Sequence, residues 1–262
     1  MGPTVDLVAD LGEGFGAYSM GDDAALLEVV SSANIACGFH AGDPDIMKAT
    51  VAECVRRGVS IGAHPSFPDL RGFGRRAMDL TADEVRNDVL YQFGALSAFA
   101  AYHGTGVAHI APHGRLGNLV ATRADYAEAV ADAASRINPD LIVLAQDGAL
   151  AAAAARLQLP VGIVGIADRA YEADGTLVPR SRPGAVIHDP SAIVDRTIRM
   201  VCEGLIETVA GTDLPIVADT VLLHGDTPGA VQLARQVRAE LENAGVRIAP
   251  LAQVLAAKVT AA

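Results

Sequence analysis

Tryptophan is absent from the sequence, aromatic residues make up only 4% of it, and positive charge is scarce. The 262 residues include 20 Lys and Arg against 31 Asp and Glu, which gives a formal net charge of −11 at pH 7. A basic surface supplies most of the affinity for nucleic acid, so we expect no nucleic-acid partner and no binding to an anionic membrane. Because 51% of the residues are hydrophobic and few are aromatic, the core has to be built mainly from small aliphatic side chains.

Cysteine is also scarce, with three well-separated residues that form neither a disulfide framework nor a zinc-binding pattern. Such usage is typical of a reducing compartment. Cys37 follows a predicted strand, and we interpret it as a small buried residue rather than a nucleophilic thiolate. No basic segment precedes Asp6, and the longest stretch without Asp, Glu, Lys or Arg, residues 89–114, has too short an apolar part to span a bilayer. We therefore expect a soluble, cytoplasmic protein without a signal peptide.

Short apolar runs alternate along the chain with longer segments of helical periodicity, which is typical of parallel α/β folds. The predicted strands cover residues 5–10, 33–37, 59–63, 106–111, 141–145, 160–167 and 219–223. The predicted helices cover residues 22–32, 44–57, 81–103, 122–136, 147–158, 190–209 and 227–244, before a short final strand and helix. No shift in composition divides the sequence, so we predict one domain over residues 1–262. Polar side chains follow almost every strand, which favours a closed (β/α) barrel of about seven parallel strands over an open sheet.

Histidine marks the predicted strand ends most clearly. His40, His64, His113 and His224 each follow a strand. Five carboxylates lie near the strand ends as well: Asp10, Glu13, Asp43, Asp168 and Asp226. A single histidine at such a place is often structural and bonded to the backbone. Four at equivalent positions predict a polar ring at one mouth of the barrel, which is costly unless its groups pair with each other or with a ligand.

The chemistry of this ring has more than one interpretation. Asp10 and Glu13 are candidates for acid–base work or cation binding, with loop capping as the structural alternative. If a metal ion is present, its ligands would be Asp10, His40, His64 and His113, although their spacing matches no His-x-His or His-x-x-x-His pattern. His103 and His109 lack the strand-end placement and are interpreted as structural, whereas the role of His188 is left open.

Two loops raise the question of phosphate binding. In the first, residues 10–16, glycines alternate with other residues, but Glu13 would repel phosphate, so a dinucleotide-binding fingerprint is not indicated. The second loop, residues 64–76, lacks any periodicity. It contains three arginines, Arg71, Arg75 and Arg76. This segment is either a solvated loop or a lid whose arginines clamp a carboxylate or phosphate.

Eight motifs, distributed in order over nearly the whole chain, together resemble the LamB/YcsF family, that of the A subunit of 5-oxoprolinase. They are DLGEGFG (10–16), SANIACGFHAGDP (32–44), GAHP (62–65), PDL (68–70), GFGRR (72–76), ADRAY (167–171), LVPR (177–180) and HGDTPG (224–229). The resemblance implies a β/α barrel related to the glycoside hydrolase and deacetylase barrels. It also implies ATP-dependent hydrolysis of the lactam of 5-oxo-L-proline to L-glutamate, with partner subunits B and C and with Mg²⁺ accompanying ATP. It leaves open whether the chain forms a homo-oligomer.

The site residues are drawn from the same motifs. The catalytic candidates are Asp10, Glu13, His40 and His64. The candidates for binding substrate or nucleotide are Asn34, Asp43, Arg75, His113, Asp168, Arg169, His224 and Asp226. Amide resonance makes a lactam carbonyl a poor electrophile, so we predict that the lactam oxygen is phosphorylated before water attacks.

Two stretches depart from the family pattern. One reads APHGRLGN, with Ala111 and Gly117 where the family has lysine and tyrosine, and Arg115 nearby as a substitute positive charge of different geometry. In the other, Gly165 and Ile166 replace Glu and Phe. Two alternative functions therefore stay open. They are a metal-dependent amide or N-acetyl hydrolase and a catalytically silent paralogue that binds a carbohydrate or lactam.

Overall fold

A computed structural model describes residues 2–225 and 229–261 and shows a closed sheet of short parallel strands surrounded by helices. The strands are β1 (Thr4–Leu11), β2 (Ser32–Ala36), β3 (Ser60–His64), β4 (His109–Ile110), β5 (Ile142–Ala145), β6 (Val161–Ile166), β7 (Leu205–Glu207), β8 (Asp213–Pro215), β9 (Thr220–Leu223) and β10 (Arg247–Ile248). The helices are α1 (Asp23–Leu26), α2 (Pro44–Arg57), α3 (Ala82–Tyr102), α4 (Gly114–Val120), α5 (Ala124–Ile137), α6 (Ala149–Arg156), α7 (Pro190–Glu203), α8 (Ala230–Asn243) and α9 (Leu251–Ala261).

Seven of these strands form the barrel. Each of β1 to β5 pairs with the next, β6 pairs with β9, and β9 pairs back to β1, which places Val8 opposite Leu222. All seven pairings are parallel. β10 extends the sheet beside the start of β1, whereas β7 and β8 form a separate antiparallel pair. The structure confirms the predicted closed barrel of about seven parallel strands.

Strand β1 shows how the barrel divides its side chains. Leu7, Ala9 and Leu11 are fully buried in the large core that the strands share with the surrounding helices. Because side chains alternate along a strand, Asp6 and Asp10 lie on the opposite, inner face. The interior of the barrel therefore holds one carboxylate near each end of β1.

Asp6 closes the amino-terminal end of the barrel. Its carboxylate accepts hydrogen bonds from Ser31 Oγ at 2.6 Å, Ser32 Oγ at 2.7 Å and Thr220 Oγ1 at 2.7 Å. Burial raises the pKa of Asp6 to about 6, although the three hydrogen bonds act to lower it. These contacts join the segments that contain β1, β2 and β9 and leave neither carboxylate oxygen unpaired.

The first helix is much shorter than the one predicted over residues 22–32, because α1 ends at Leu26. The chain has to turn here, since Ser31 N donates to Leu7 O and the Ser31 hydroxyl reaches Asp6. Tertiary contacts to β1 thus outweigh the helical pattern of this segment.

The predicted helix over residues 190–209 is also too long. α7 ends at Glu203 because Gly204 adopts a left-handed conformation with φ of 69°, a common way to end a helix. The following residues form β7 instead. α4 was not predicted, since two glycines lower the helix propensity of its seven residues, and β4 has only two of the six residues expected. In the described ranges, every helix is too short or too polar to cross a membrane.

Candidate active site

A cavity of about 390 Å³ opens where the barrel strands end. Seven of the predicted site residues line it: Asp10, Asn34, His64, Arg75, His113, Arg169 and His224. Four others lie outside its lining: Glu13, His40, Asp43 and Asp168. Asp226 lies outside the described residues. The barrel thus brings together most of the residues that the sequence places at strand ends.

A chain of hydrogen bonds inside the barrel fixes the Asp10 carboxylate. His109 Nε2 donates to Asn34 Oδ1 at 2.8 Å, and Asn34 Nδ2 donates to Asp10 Oδ1 at 2.9 Å. Gly62 on β3 makes room for His109, because a Cβ at this glycine would lie only 1.9 Å from His109 Nε2. Burial lowers the pKa of His109 to about 3, so the ring is neutral. His109, predicted to be structural, positions a cavity residue.

The ionised state of Asp10 depends on histidine. His64 Nε2 lies 3.3 Å from Asp10 Oδ1. Burial acts to raise the pKa of Asp10, but attraction to His64 and a hydrogen bond from it outweigh that cost, with smaller contributions from His224 and His113. The pKa of Asp10 therefore lies below its ordinary value, and the carboxylate is charged at neutral pH.

His64 and His113 are both anchored by backbone carbonyl groups. His64 Nδ1 donates to Ala111 O at 2.6 Å, and His113 Nε2 donates to Phe73 O at 2.9 Å. These bonds turn His64 Nε2 and His113 Nδ1 toward each other at a distance of 3.0 Å. Burial, followed by repulsion from His64, lowers the pKa of His113 to about 3. Position 111 thus contributes its carbonyl group to the site even though the family lysine is missing.

His40 and Glu13 lie behind this pair. His40 stacks on His113, with ring centroids 3.8 Å apart, and its Nε2 lies 3.1 Å from Glu13 Oε1. Burial, followed by repulsion from His113 and His64, lowers the pKa of His40 well below its ordinary value. Potential ligand atoms of four residues lie within 4.8 Å of one another: Glu13, His40, His64 and His113. Glu13 therefore takes the place that the sequence-based metal hypothesis gave to Asp10.

A second carboxylate–histidine pair lies at the ends of β6 and β9. His224 Nδ1 donates to the Asp168 carboxylate at 2.7 and 2.9 Å, and Arg180 Nη2 donates to His224 Nε2 at 3.1 Å. Burial acts to raise the pKa of Asp168, but the hydrogen bond and charge of His224, with the charge of Arg180, hold it below its usual value. The orientation of His224 is therefore fixed with Nε2 as its acceptor atom.

The arginines of the site have different roles. Arg75 and Arg115 line the cavity, and Arg115 Nε is buried without a hydrogen-bond partner among the described residues. Arg169, predicted to bind substrate, also lines it, but its guanidinium donates to the carbonyl groups of Ala185 and Val178. Arg76 pairs with Asp69 and thereby holds the loop. Of the arginines predicted in that loop, Arg75 is the one that lines the cavity.

Asp43 and Cys37 have local structural roles. The Asp43 carboxylate caps α2, accepting from Asp45 N at 2.9 Å and Ile46 N at 3.0 Å, and it also accepts from Gly16 N at 2.7 Å. The carboxylate oxygens thus hold backbone groups, and the contact of Asp43 with a ligand stays a prediction. Cys37 is buried, and burial raises the pKa of its thiol to about 12, which fits a small buried residue rather than a thiolate.

Sequence reasoning missed two contributors to the site, Gly62 and Arg180, although both stand in family motifs. It considered Arg115 only as a substitute charge. The Arg180 contact becomes visible only when the segment after β6 folds back over the strand ends, which no periodic pattern reports.

Comparison with known proteins identifies the family of the chain. A LamB/YcsF family model matches residues 5–256. The A subunit of 5-oxoprolinase from Rhodopseudomonas palustris is 50% identical over 250 residues, which is 95% of this chain and 98% of that protein. The A subunit of the enzyme from Heliobacterium modesticaldum is 49% identical over 245 residues, or 93% of this chain and 96% of that protein.

Solved structures agree with the sequence comparison. The lactam utilization protein from Thermus thermophilus matches with a TM-score of 0.89 at 42% identity, over 94% of this chain and 99% of that one. A variant of the peptidoglycan deacetylase PdaC from Bacillus subtilis matches with a TM-score of 0.51 at 11% identity, over 99% and 95% of the two chains, and shows a shared fold alone. From its motifs, its barrel and this similarity along nearly its full length, the chain belongs to the LamB/YcsF family.

Proposed function

We propose that this chain is the A subunit of a 5-oxoprolinase and hydrolyses the lactam of 5-oxo-L-proline to L-glutamate in an ATP-dependent reaction with partner subunits B and C. The observation that carries the proposal is one cavity that contains the Asp10–His64 pair, the His224 ring of the Asp168–His224 pair, and several arginines. The names of relatives about 50% identical to this chain support the same reaction.

The cavity suits a small anionic substrate. Its volume of about 390 Å³ lies near the lower end of the range of ligand pockets, roughly 300–1,000 Å³. Guanidinium groups match the two oxygens of a carboxylate, which 5-oxo-L-proline carries beside its neutral ring. We assign this contact to Arg115, because its buried Nε has no partner among the described residues and it lies in the first turn of α4 beside His113.

The Asp168–His224 pair is suited to proton transfer. Asp168 holds His224 Nδ1 as a donor, so Nε2 is the atom that can accept a proton. Arg180 occupies Nε2 in this structure and has to turn away when substrate binds. His224 Nε2 then takes a proton from the attacking water as the carbon–oxygen bond forms, and returns it to the ring nitrogen as the carbon–nitrogen bond breaks.

Asp10 and His64 serve the carbonyl side of the same reaction. His64 Nε2 points toward the Asp10 carboxylate and lines the cavity. A ring held in this orientation can donate a hydrogen bond to the oxygen on which negative charge develops. The Asp10 carboxylate helps to hold the His64 ring in this orientation.

ATP, when bound, would supply a phosphoryl group to the lactam oxygen, which makes the carbonyl carbon a better electrophile; one water opens the ring, and a second water releases the group as inorganic phosphate. The arginines of the cavity fit phosphate oxygens, whereas the glycine-rich loop does not form a phosphate cradle. Its Gly12 N and Gly16 N already donate to Asp23 and Asp43, and Glu13 lies between them. We therefore assign the phosphate contact to Arg75, which also lines the cavity, rather than to this loop.

The test is glutamate release from 5-oxo-L-proline by this chain mixed with its own partner subunits B and C. Release that requires ATP and all subunits, and that Arg115→Met lowers while the exposed control His188→Gln does not, is the expected result. No glutamate from folded, assembled subunits would contradict the proposal. An Ala111→Lys variant would then separate a silent paralogue, which regains activity, from an enzyme with another substrate, which does not.

A second candidate is amide or N-acetyl hydrolysis without ATP. It is favoured by the buried cluster of Glu13, His40, His64 and His113, which resembles a metal-binding arrangement. Hydrolysis of simple N-acetyl amides by this chain alone, with ATP omitted, would support it. Strict dependence of turnover on ATP would reject it.

A further inference from the structure

Four buried side chains converge behind the wall of the cavity, one from the end of each of the first four strands. They are Glu13, His40, His64 and His113, referred to below as the histidine cluster. One potential ligand atom of each residue lies within 4.8 Å of those of the others. We propose that the histidine cluster binds one divalent transition-metal ion, with Zn²⁺ as the best match.

Protons alone do not satisfy the contacts of the cluster. His113 Nε2 donates to Phe73 O, so a neutral His113 presents a lone pair at Nδ1. That lone pair faces His64 Nε2 at 3.0 Å and Glu13 Oε1 at 3.6 Å. A proton on His64 Nε2 relieves the first contact, and His40 Nε2 can donate to Glu13 Oε1 at 3.1 Å, but the two acceptors His113 Nδ1 and Glu13 Oε1 still face each other at 3.6 Å. A cation between these atoms relieves both contacts at once.

The separations of the ligand atoms match the edges of a coordination polyhedron. Zn²⁺ lies about 2.0–2.1 Å from imidazole nitrogen, so tetrahedral ligands are roughly 3.3 Å apart. Three separations in the cluster are close to this value. They are 3.0 Å for His64–His113, 3.1 Å for His40–Glu13 and 3.6 Å for His113–Glu13. Small side-chain movements would bring all four atoms to bonding distance.

The donor set selects the class of cation. Three imidazole rings and one carboxylate suit Zn²⁺ and similar first-row transition metals, whereas Mg²⁺ prefers oxygen ligands and retains water. The Mg²⁺ expected with ATP is therefore a separate ion. A divalent cation would leave a net charge of +1 on the cluster, and the Asp10 carboxylate, 3.3 Å from His64 Nε2, would offset it.

The surroundings resemble the outer shell of a metal site. Ligating histidines usually donate their second ring nitrogen to a carbonyl or carboxylate group, as His64 and His113 do here to Ala111 O and Phe73 O. Phe73 adopts a positive φ of 54° and its ring contacts the edges of His40 and His113 at centroid distances of 5.5 and 5.2 Å. The loop thus covers the cluster on one side, and His64 and His113 open on the cavity on the other.

This metal site goes beyond the proposed hydrolysis of a lactam, because the cluster would bind the ion whether the substrate is a lactam or another amide. A cation at this place would lie in the cavity wall, where it can polarise a carbonyl oxygen. Its presence can be measured without any turnover, so a failure of the metal site and a failure of the proposed function are distinguishable.

The experiment is a titration of the full-length chain, freed of metal with a chelator, by Co²⁺ and then by competing Zn²⁺. The expected result is one Co²⁺ per chain, a visible absorption typical of nitrogen and oxygen ligands, and displacement by Zn²⁺. Glu13→Gln and His113→Gln should each weaken binding by more than about 100-fold, since the loss of a ligand exceeds the 10–100-fold effect of losing its outer-shell partner. His188→Gln, an exposed histidine elsewhere, serves as the matched control.

Circular dichroism of each variant separates lost metal binding from lost folding. Wild-type chain that takes up neither Co²⁺ nor Zn²⁺ stoichiometrically overturns the proposal, and a proton on His64 then explains the 3.0 Å contact with His113. Equal binding by wild type, Glu13→Gln and His113→Gln also overturns it, because the ion would then bind elsewhere.

Discussion

Each end of the barrel contains a buried carboxylate of β1, but the two carboxylates have different hydrogen-bond partners and pKa values shifted in opposite directions. Asp6 and Asp10 lie four residues apart on the inner face of β1, and both are buried. Asp6 accepts three hydroxyl donors and its pKa is raised to about 6, whereas the pKa of Asp10 is lowered despite burial, mainly by His64. Neutral hydroxyls satisfy a carboxylate without supplying charge, and histidines also supply charge. The first end is arranged for stability and the second for ionic chemistry.

The largest expected effect comes from removing the charge at the cavity end. Asp10→Asn should lower the rate of glutamate release by the assembled subunits by about 10²–10⁴-fold, the usual cost of losing a group that acts in proton transfer or supports one that does. The free energy of unfolding should fall by only about 1–2 kcal/mol, because the amide fills the same space and can still accept from Asn34 but loses the charged contact with His64. Steady-state rates together with urea denaturation measure both quantities. A rate near that of wild type would show that the charge of Asp10 is not needed for the reaction, and would remove the contrast with Asp6.

Removing the carboxylate at the amino-terminal end should mainly lower stability and leave the rate of glutamate release nearly unchanged. Asp6→Ala removes the acceptor of two buried hydroxyl groups, Ser32 and Thr220, and of the half-buried Ser31, and unsatisfied buried groups cost about 1–3 kcal/mol each before relaxation. We expect the free energy of unfolding to fall by about 2–4 kcal/mol while the rate of glutamate release per folded molecule stays within about twofold. A stable variant with a lost rate would assign Asp6 to the chemistry.

The same variant tests the pKa of Asp6. Because the folded pKa, about 6, exceeds the unfolded value, 3.8, the folded state binds more protons between these values. The contribution of Asp6 to stability is fully present below pH 3.8 and is lost as the pH rises through 6. The difference in unfolding free energy between wild type and Asp6→Ala should therefore be about 2–3 kcal/mol larger at pH 4 than at pH 7. A difference that is independent of pH would contradict the raised pKa.

A smaller effect is expected from the support of Asp10. Gly62→Ala places a methyl group 1.9 Å from the present position of His109 Nε2, so the ring has to move and its hydrogen bond to Asn34 is lost. We expect glutamate release to slow by about tenfold, a typical loss for a displaced outer-shell group. Gly94→Ala is a suitable control, because a Cβ at that glycine meets nothing within 4 Å. Equal rates for the two variants would show that His109 does not position Asp10.

The sequence reveals the barrel because its strands are short apolar runs that each end in polar residues. The sequence predicts a helix that continues after α1, but Ser31 in this segment donates a hydrogen bond to Asp6, a contact that no local pattern indicates. It identifies the strand-end histidines because each of them follows one of these apolar runs.

The partners of these histidines are harder to predict. Asp10 lies near the end of β1 and Glu13 lies just after it. Gly12, with a φ of 70°, interrupts the strand between them, so the alternation of side chains between the two faces does not extend to Glu13. Which of the two carboxylates joins the histidine cluster is therefore set by the turn and not by spacing. The complementarity of Gly62 and His109 depends on the register between β3 and β4, which a single sequence does not contain.

The hydrogen bond from Thr220 to Asp6 joins residues 214 positions apart. On the ribosome, β1 therefore emerges long before the strand that completes its pairing, and one edge of β1 and one oxygen of Asp6 gain their partners only after β9 has been made. Closure of the barrel consequently comes late in folding, and a chain stopped before β9 would present an open strand edge to chaperones or to other copies of itself.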